Sequence, residues 1–209
     1  MESLIRKLQP ISIWNHFSDL NAVPRPSKKE ERIIEFMVNF GKKLMLETIV
    51  DGVGNVIIKK PATKGFENKK TVVMQSHLDM VHQKNSEIVF NFETQGINMF
   101  IDGDWVTADG TTLGADNGLG VAAIMAVLSS VTIEHPTIEA LFTIDEETGM
   151  TGAMGLKGGL LSGEILLNLD TEEDDEIDMG CAGGIDVTAN RNYQEETTPT
   201  DKLAFKIAI

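Results

Sequence analysis

Thr71-Val-Val-Met-Gln-Ser-His77-Leu-Asp79-Met80 is the stretch on which the fold turns. Its first five residues, Thr71 to Gln75, read as a buried strand, a short apolar run preceded by the polar stretch from Pro61 to Lys70. The strand delivers His77 and Asp79 at its carboxyl end, where open α/β sheets place their ligands. Residues two apart on an extended chain point the same way, so the imidazole and the carboxylate can share one site. A loop histidine bonded to a structural aspartate would look the same, and other stretches must decide.

Two more apolar runs end in acids. Ile138 to Ile144 reads as a core strand that runs into Asp145-Glu146-Glu147-Thr148-Gly149. Ile165 to Leu169 reads as another buried strand ending at Asp170, followed by Glu172, Glu173, Asp174 and Asp175, which read as solvated. Between them in kind, the turn from Gly110 to Gly118 opens into Leu119 to Leu128, an apolar segment long enough for a buried helix, and sets Asp116 at its amino end. An aspartate there is ordinarily an N-cap. Glu146 and Glu147 leave one strand as neighbours, so both reach one site only if the chain turns, which Thr148-Gly149 permits.

The remaining segments supply the frame. Pro10 with Ile13, Trp14, Phe17 and Leu20 predicts an amphipathic helix stopped by Pro24 and Pro26. Ser27 and Glu30 read as a capping box for a second helix with Ile33, Ile34, Met37, Val38, Leu44 and Met45 on its apolar stripe. Thr48 to Val50 and Val56 to Ile58, joined by Gly52-Val-Gly-Asn55, predict a hairpin, and Phe100-Ile and Trp105-Val around Asp102-Gly103 predict a shorter one. Residues 81 to 99 show no period, and a connection of that length is more often functional than idle. Ile177 to Met179, Ile185 to Asn190 and Leu203 to Ile209 read as further strands.

Composition narrows the function. A chain of 209 residues with 42% hydrophobic side chains can bury a full core as one large domain. Its net charge of −14 repels nucleic acid and anionic membrane surfaces, and both are set aside as partners. No apolar run reaches the roughly 18 residues of a membrane span. The single Cys181 allows no intrachain disulfide, and MESLIRKLQP lacks a signal peptide's apolar centre, so a cytoplasmic location is expected.

Three strand ends offering His77, Glu147 and Asp170, with Asp116 on a glycine turn, predict a metal site. One imidazole among carboxylates suits zinc, manganese or cobalt in a reactive site rather than a thiolate-rich structural one. Two ions could be bridged by a carboxylate, for which Asp116 is the candidate, and together polarise a carbonyl and activate water. A base is then needed beside the metals, and Glu146 fits that position.

SHLDMV, GTTLGADNG, DEETGM and NLDTEE, in this order, resemble the cocatalytic zinc metallopeptidases that include peptidase T, acylornithine deacetylases and carnosinases. NVIIKKPATKG, TTLGADNGLGVAA and EIDMGCAGGID are similar to the aminoacyl-histidine (Xaa-His) dipeptidase branch. The resemblance covers the whole chain and implies an α/β fold, a three-layer α/β/α catalytic domain around a central twisted, largely parallel mixed sheet. It implies two divalent ions, zinc first with cobalt or manganese possible. His77 and Asp170 would be terminal ligands on one ion, Glu147 on the other and Asp116 the bridge. Asp79 would orient His77, Glu146 would be the general base, and the Asp116–Asn117 peptide would be cis.

Relatives also carry a lid domain used for dimerisation, and a closing His ligand near their carboxyl terminus. The resemblance therefore assigns residues 1–202 to the catalytic domain and 203–209 to the start of a lid domain, with a homodimer expected where the lid is present. Without that lid and ligand the chain is expected to be a poor catalyst. The implied reaction is hydrolysis of dipeptides with an unblocked amino terminus, carnosine-like ones included. The alternatives are a metallo-aminoacylase or tripeptidase of the same family, or a non-enzymatic metal-binding remnant.

Overall fold

The computed structural model describes residues 2–171, 176–180, 183, 185, 187–194, 197, 200–203 and 205–207. The chain divides into two compact units, Met1–Glu172 and Glu173–Ile209. The first contains every helix and strand found among the described residues, in the order α1 (Glu2–Ile5), α2 (Ile11–Asn21), α3 (Glu31–Lys43), β1 (Glu47–Val50), β2 (Val56–Lys60), β3 (Val72–His77), β4 (Met99–Asp102), β5 (Trp105–Ala108), α4 (Ala115–Ser129), β6 (Ile138–Thr143), α5 (Thr151–Gly155) and β7 (Ile165–Asn168).

Five strands form one mixed sheet in the order β1-β2-β6-β3-β7. β1 and β2 are the expected hairpin, paired antiparallel from Val50↔Val56 to Glu47↔Lys59. Its turn closes because Asp51 Oδ1 accepts the backbone N–H groups of Val53, Gly54 and Asn55, each at 2.9 Å. β2 runs antiparallel to β6, whereas β6–β3 and β3–β7 are parallel. The parallel half is the half that matters for chemistry. Three parallel neighbours end on the same side, and the register His77↔Thr143 brings the end of β3 level with the end of β6.

Side chains alternate across the sheet. Val56 and Ile58 of β2 and Ile138, Ala140 and Phe142 of β6 join Leu20, Ile33, Met37, Val121, Ile124, Met125 and Leu128 from α2, α3 and α4 in the main core. Ile57, Val73 and Leu141 point the other way, onto Leu156, Leu160 and Leu161 after α5, which makes a thin third layer. All six residues of β6 are buried, as a central strand covered on both faces requires. α4 is apolar on every side because it too has two covers. Ala122 packs with Ile5 of α1, Phe17 of α2 and Met99 of β4, while Val121 and Ile124 face the main core.

Several expectations are corrected. Ser27 and Glu30 do not form a capping box. The Ser27 hydroxyl donates to Asp79 Oδ2 at 2.8 Å, and Glu30 Oε1 accepts the N–H groups of Lys28 at 2.9 Å and Asp145 at 3.1 Å. Both residues are claimed by longer-range partners around the candidate site, and α3 starts without a side-chain cap. Met45 lies beyond α3 at φ 57° and is 92% exposed, so it is not on the apolar stripe. The strand expected at Ile165 to Leu169 is present as β7, but it is exposed rather than buried, with Leu166 at 64%. β7 is a sheet edge whose only strand partner among the described residues is β3.

In the second unit no described residue lies in a helix or strand. Ile177 to Met179 forms no strand, nor do the described residues of Ile185 to Asn190 and Leu203 to Ile209. Ile177, Ile185, Leu203, Phe205 and Ile207 are exposed, and no described residue pairs with them as a strand, the partner an extended backbone would need. Asp186, Ala204, Ala208 and Ile209 lie outside the described residues, as do Cys181 and the acidic run Glu172 to Asp175.

Candidate metal centre

The end of β3 is pinned on both sides. Leu78 N–H donates to Thr143 O of β6 at 2.8 Å, and Met80 N–H donates to Arg25 O at 3.2 Å. His77 is thereby held as a 1% exposed ring with both nitrogens engaged. Nδ1 lies 3.2 Å from Asp79 Oδ1 and 3.1 Å from Asp79 O, which leaves Nε2 facing Asp116 Oδ1 at 2.9 Å and Asp170 Oδ2 at 3.8 Å. Hydrogen bonding at one ring nitrogen fixes which nitrogen is presented to the site.

Asp116 does not cap α4. Gly114 occupies the N-cap position at φ 71°, and Asp116 and Asn117 have non-helical backbone around a cis Asp116–Asn117 peptide, the isomer that the resemblance implies. Asn117 then reaches across to the end of β7. Its Nδ2 donates to Asp170 Oδ1 at 2.7 Å and to Leu169 O at 3.1 Å, so neighbouring residues of one turn engage His77 and Asp170.

After β6 the chain turns, as the adjacent glutamates require. Asp145 takes φ 49°, Met150 N–H donates to Glu146 O at 3.2 Å, and the Thr148 and Thr151 hydroxyls both donate to the Asp145 carboxylate. The buried Asp79 carboxylate closes the turn from the other side. It accepts Glu146 N–H at 3.0 Å on Oδ1 and Glu147 N–H at 3.2 Å on Oδ2. Asp79 thus orients the imidazole and also holds the backbone that carries both glutamates.

Two donor sets result, each with its atoms within 4.8 Å of one another: His77, Asp116 and Glu147, and His77, Glu146 and Asp170. All six residues singled out in the sequence therefore meet at the carboxyl ends of parallel strands. Distance alone admits Glu146 as readily as Glu147 to a cation. A third buried group, Glu30, Asp79 and Asp145, is of another kind, because backbone N–H and hydroxyl donors already point at its oxygens.

The charges fit a cation. Burial, followed by repulsion from neighbouring carboxylates such as Asp116, raises Glu147; burial likewise leads for Glu146 and Asp170, and the proximity of His77 only partly offsets it. Burial opposes a charged His77, but the hydrogen bond and charge of Asp79, with Asp170 and Asp116, raise it to about 9. Burial would raise Asp79 as well, yet hydrogen bonds from His77, Glu146 N–H and Ser27 hold it at about 2. Carboxylates that push one another up even with the His77 imidazole and the buried Arg25 guanidinium nearby remain short of positive charge, and divalent ions would supply it.

No motif marks Arg25, or the Asn117 side chain, as part of the site, and the spacing of Ser27 and Glu30 predicts a helix cap instead. The Pro-Arg-Pro-Ser loop was a signal, since it fixes a cation in a short rigid segment; Asn117 had none beyond adjacency to Asp116.

A model of peptidase family M28 matches residues 55–197, a span that takes in all six site residues. The chain belongs to peptidase family M28. It is 46% identical over 99% of its length to the cytosol non-specific dipeptidase of Escherichia coli strain K12, covering 43% of that protein. It is 27% identical to peptidase T of Haemophilus influenzae, over 72% of this chain and 44% of that one. Among solved structures, the aminoacylhistidine dipeptidase of Vibrio alginolyticus superposes with a TM-score of 0.80 at 51% identity, over 81% of this chain and 35% of that one. The chain spans about two-fifths of the length of the curated relatives it matches. Among the described residues, no helix is long and apolar enough to cross a membrane.

Proposed function

We propose that the protein is a metal-dependent dipeptidase that hydrolyses dipeptides with a free amino terminus, Xaa-His dipeptides among them. The observation that carries this reading is that the donor atoms of His77, Asp116, Glu146, Glu147 and Asp170 fall into two overlapping groups, each within 4.8 Å, with the backbone of both glutamates fixed by one buried carboxylate. His77, Asp116, Glu147 and Asp170 would hold two divalent ions, zinc by preference, with Asp116 between them. When bound, such ions supply Lewis acidity, polarising the peptide carbonyl and making water acidic. Glu146 takes the proton of the attacking water and returns it to the leaving amine. Asp79 keeps the His77 ring and the Glu146–Glu147 turn in place throughout.

Catalytic residues 1–202 and a lid beginning at 203–209 belong to this reading, as do a homodimer through the lid, a closing His ligand outside residues 1–209, and a cytoplasmic location. The names of the relatives support a peptidase acting on short peptides and leave breadth to experiment. The full-length protein should cleave β-alanyl-histidine and glycyl-histidine, lose that activity to a chelator, and regain it with zinc. Cleavage confined to tripeptides or N-acyl amino acids would select an alternative member of the family. Zinc binding with no hydrolysis of any of these would leave a metal-binding remnant.

A further inference from the structure

We infer that Arg25 is a positioning residue for the metal centre: its buried guanidinium ties the His77–Asp79 strand end to the Gly114 turn that carries Asp116. The inference rests on the metal-centre reading above and adds a residue that reading does not use. Arg25 is 1% exposed, an unusual place for a guanidinium unless its donors are employed. Nη1 donates to Leu78 O and Asp79 O, both at 3.1 Å, between two of the candidate site residues. Nη2 donates to Asn21 Oδ1 at 3.0 Å and to Gly114 O at 2.5 Å, two residues before Asp116. One planar fork therefore spans two segments far apart in sequence that must meet for His77 and Asp116 to share an ion.

The slot for this group is shaped by glycine. A Cβ at Gly114 would come within 2.5 Å of Nη2, and one at Gly118 within 2.7 Å. Two glycines of the Gly-Ala-Asp-Asn-Gly turn thus admit the guanidinium. Lysine could not replace it, because an ammonium is a single point of donors and cannot reach both segments at once. The guanidinium charge lies near Asp79, Asp116 and Glu147, where a cation competes with a metal for the same carboxylates, so charge and fork act on zinc in opposite directions. Loss of charge alone would tighten zinc binding, whereas loss of the fork would loosen it.

The test compares Arg25→Lys, Arg25→Ala and, as control, Asp116→Ala with the unaltered full-length protein. Zinc affinity is measured by competition with a chelating indicator, and folding by circular dichroism. Arg25→Lys and Arg25→Ala should fold and bind zinc about 10–100-fold more weakly, the usual cost of removing a group that orients metal ligands, and excess zinc should restore part of kcat. Unchanged or tighter zinc binding in either folded variant overturns the proposal. Should Arg25→Ala not fold, Arg25→Lys decides alone; should neither fold with zinc present, Arg25 is a framework residue and the proposal is wrong. Asp116→Ala that binds zinc like the unaltered protein is a separate result, which removes the metal-centre reading and this proposal with it.

Discussion

Asp79 and Glu146 are joined by one hydrogen bond, the Glu146 backbone N–H donating to Asp79 Oδ1 at 3.0 Å, while the same carboxylate orients His77. An amide at position 79 keeps the shape but turns an NH2 group toward groups that are themselves donors. Asp79→Asn should therefore weaken zinc binding and kcat/KM by about 10–100-fold. It should also lower stability by about 1–3 kcal/mol through a buried unmatched donor. Chelator competition and denaturant unfolding measure the two effects; a variant with unaltered zinc affinity would remove the orienting role.

Glu146 and Glu147 test the assignment of roles, because distance alone does not separate them. Glu146→Gln should retain both ions while kcat falls by roughly 10²- to 10⁴-fold, as expected for a general base. Glu147→Gln should lose an ion first, and excess zinc or cobalt should recover part of its activity. Bound metal and turnover measured side by side decide the matter. The opposite pattern would mean that the two roles are swapped.

Asp116→Ala should be the most damaging of the four ligand substitutions, since a bridging carboxylate serves both ions. Elemental analysis of that variant should find fewer than two zinc ions per chain. Two retained ions would end the bridging assignment.

Glu139 lies near the start of β6, away from the strand ends that form the centre, and gives a pH prediction independent of metal. Burial would raise its carboxyl, but N–H groups of Ser162 at 2.7 Å and Gly163 at 2.9 Å, the Ser162 hydroxyl at 2.9 Å and Lys59 Nζ at 3.3 Å outweigh burial and hold it below its ordinary 4.5. A pKa depressed by folding contributes stability that is present above the unfolded value and lost as pH falls through the folded one. Glu139→Gln should cost about 1–3 kcal/mol at pH 7, and the gap to the unaltered protein should narrow below about pH 4.5. A gap independent of pH would contradict the ionised role.

Local patterns set much of this protein in advance. The largely apolar runs before His77 and Asp145 mark strands because short segments rich in Val, Ile, Leu and Phe suit a mostly covered sheet, and both strands lie where their residues put them. The site residues were legible because parallel strands open their carboxyl ends on one side, so acids and a histidine at such ends are candidates to meet. Tertiary structure alone decided what each polar group would bond. Ser27 and Glu30 have the spacing of a capping box, yet the buried Asp79 carboxylate and the Asp145 N–H compete for them and win, since groups removed from water must find partners wherever the fold puts them. The same holds for Arg25, whose neighbours in sequence are prolines and whose partners, at Leu78, Asp79 and Gly114, lie 53 to 89 residues away. Exposure of β7 was likewise beyond composition, because Ile165, Leu166 and Leu167 are as apolar as any core strand; among the described residues β7 pairs only with β3 and its side chains stay exposed, which depends on what packs over the sheet faces and not on the strand's own residues.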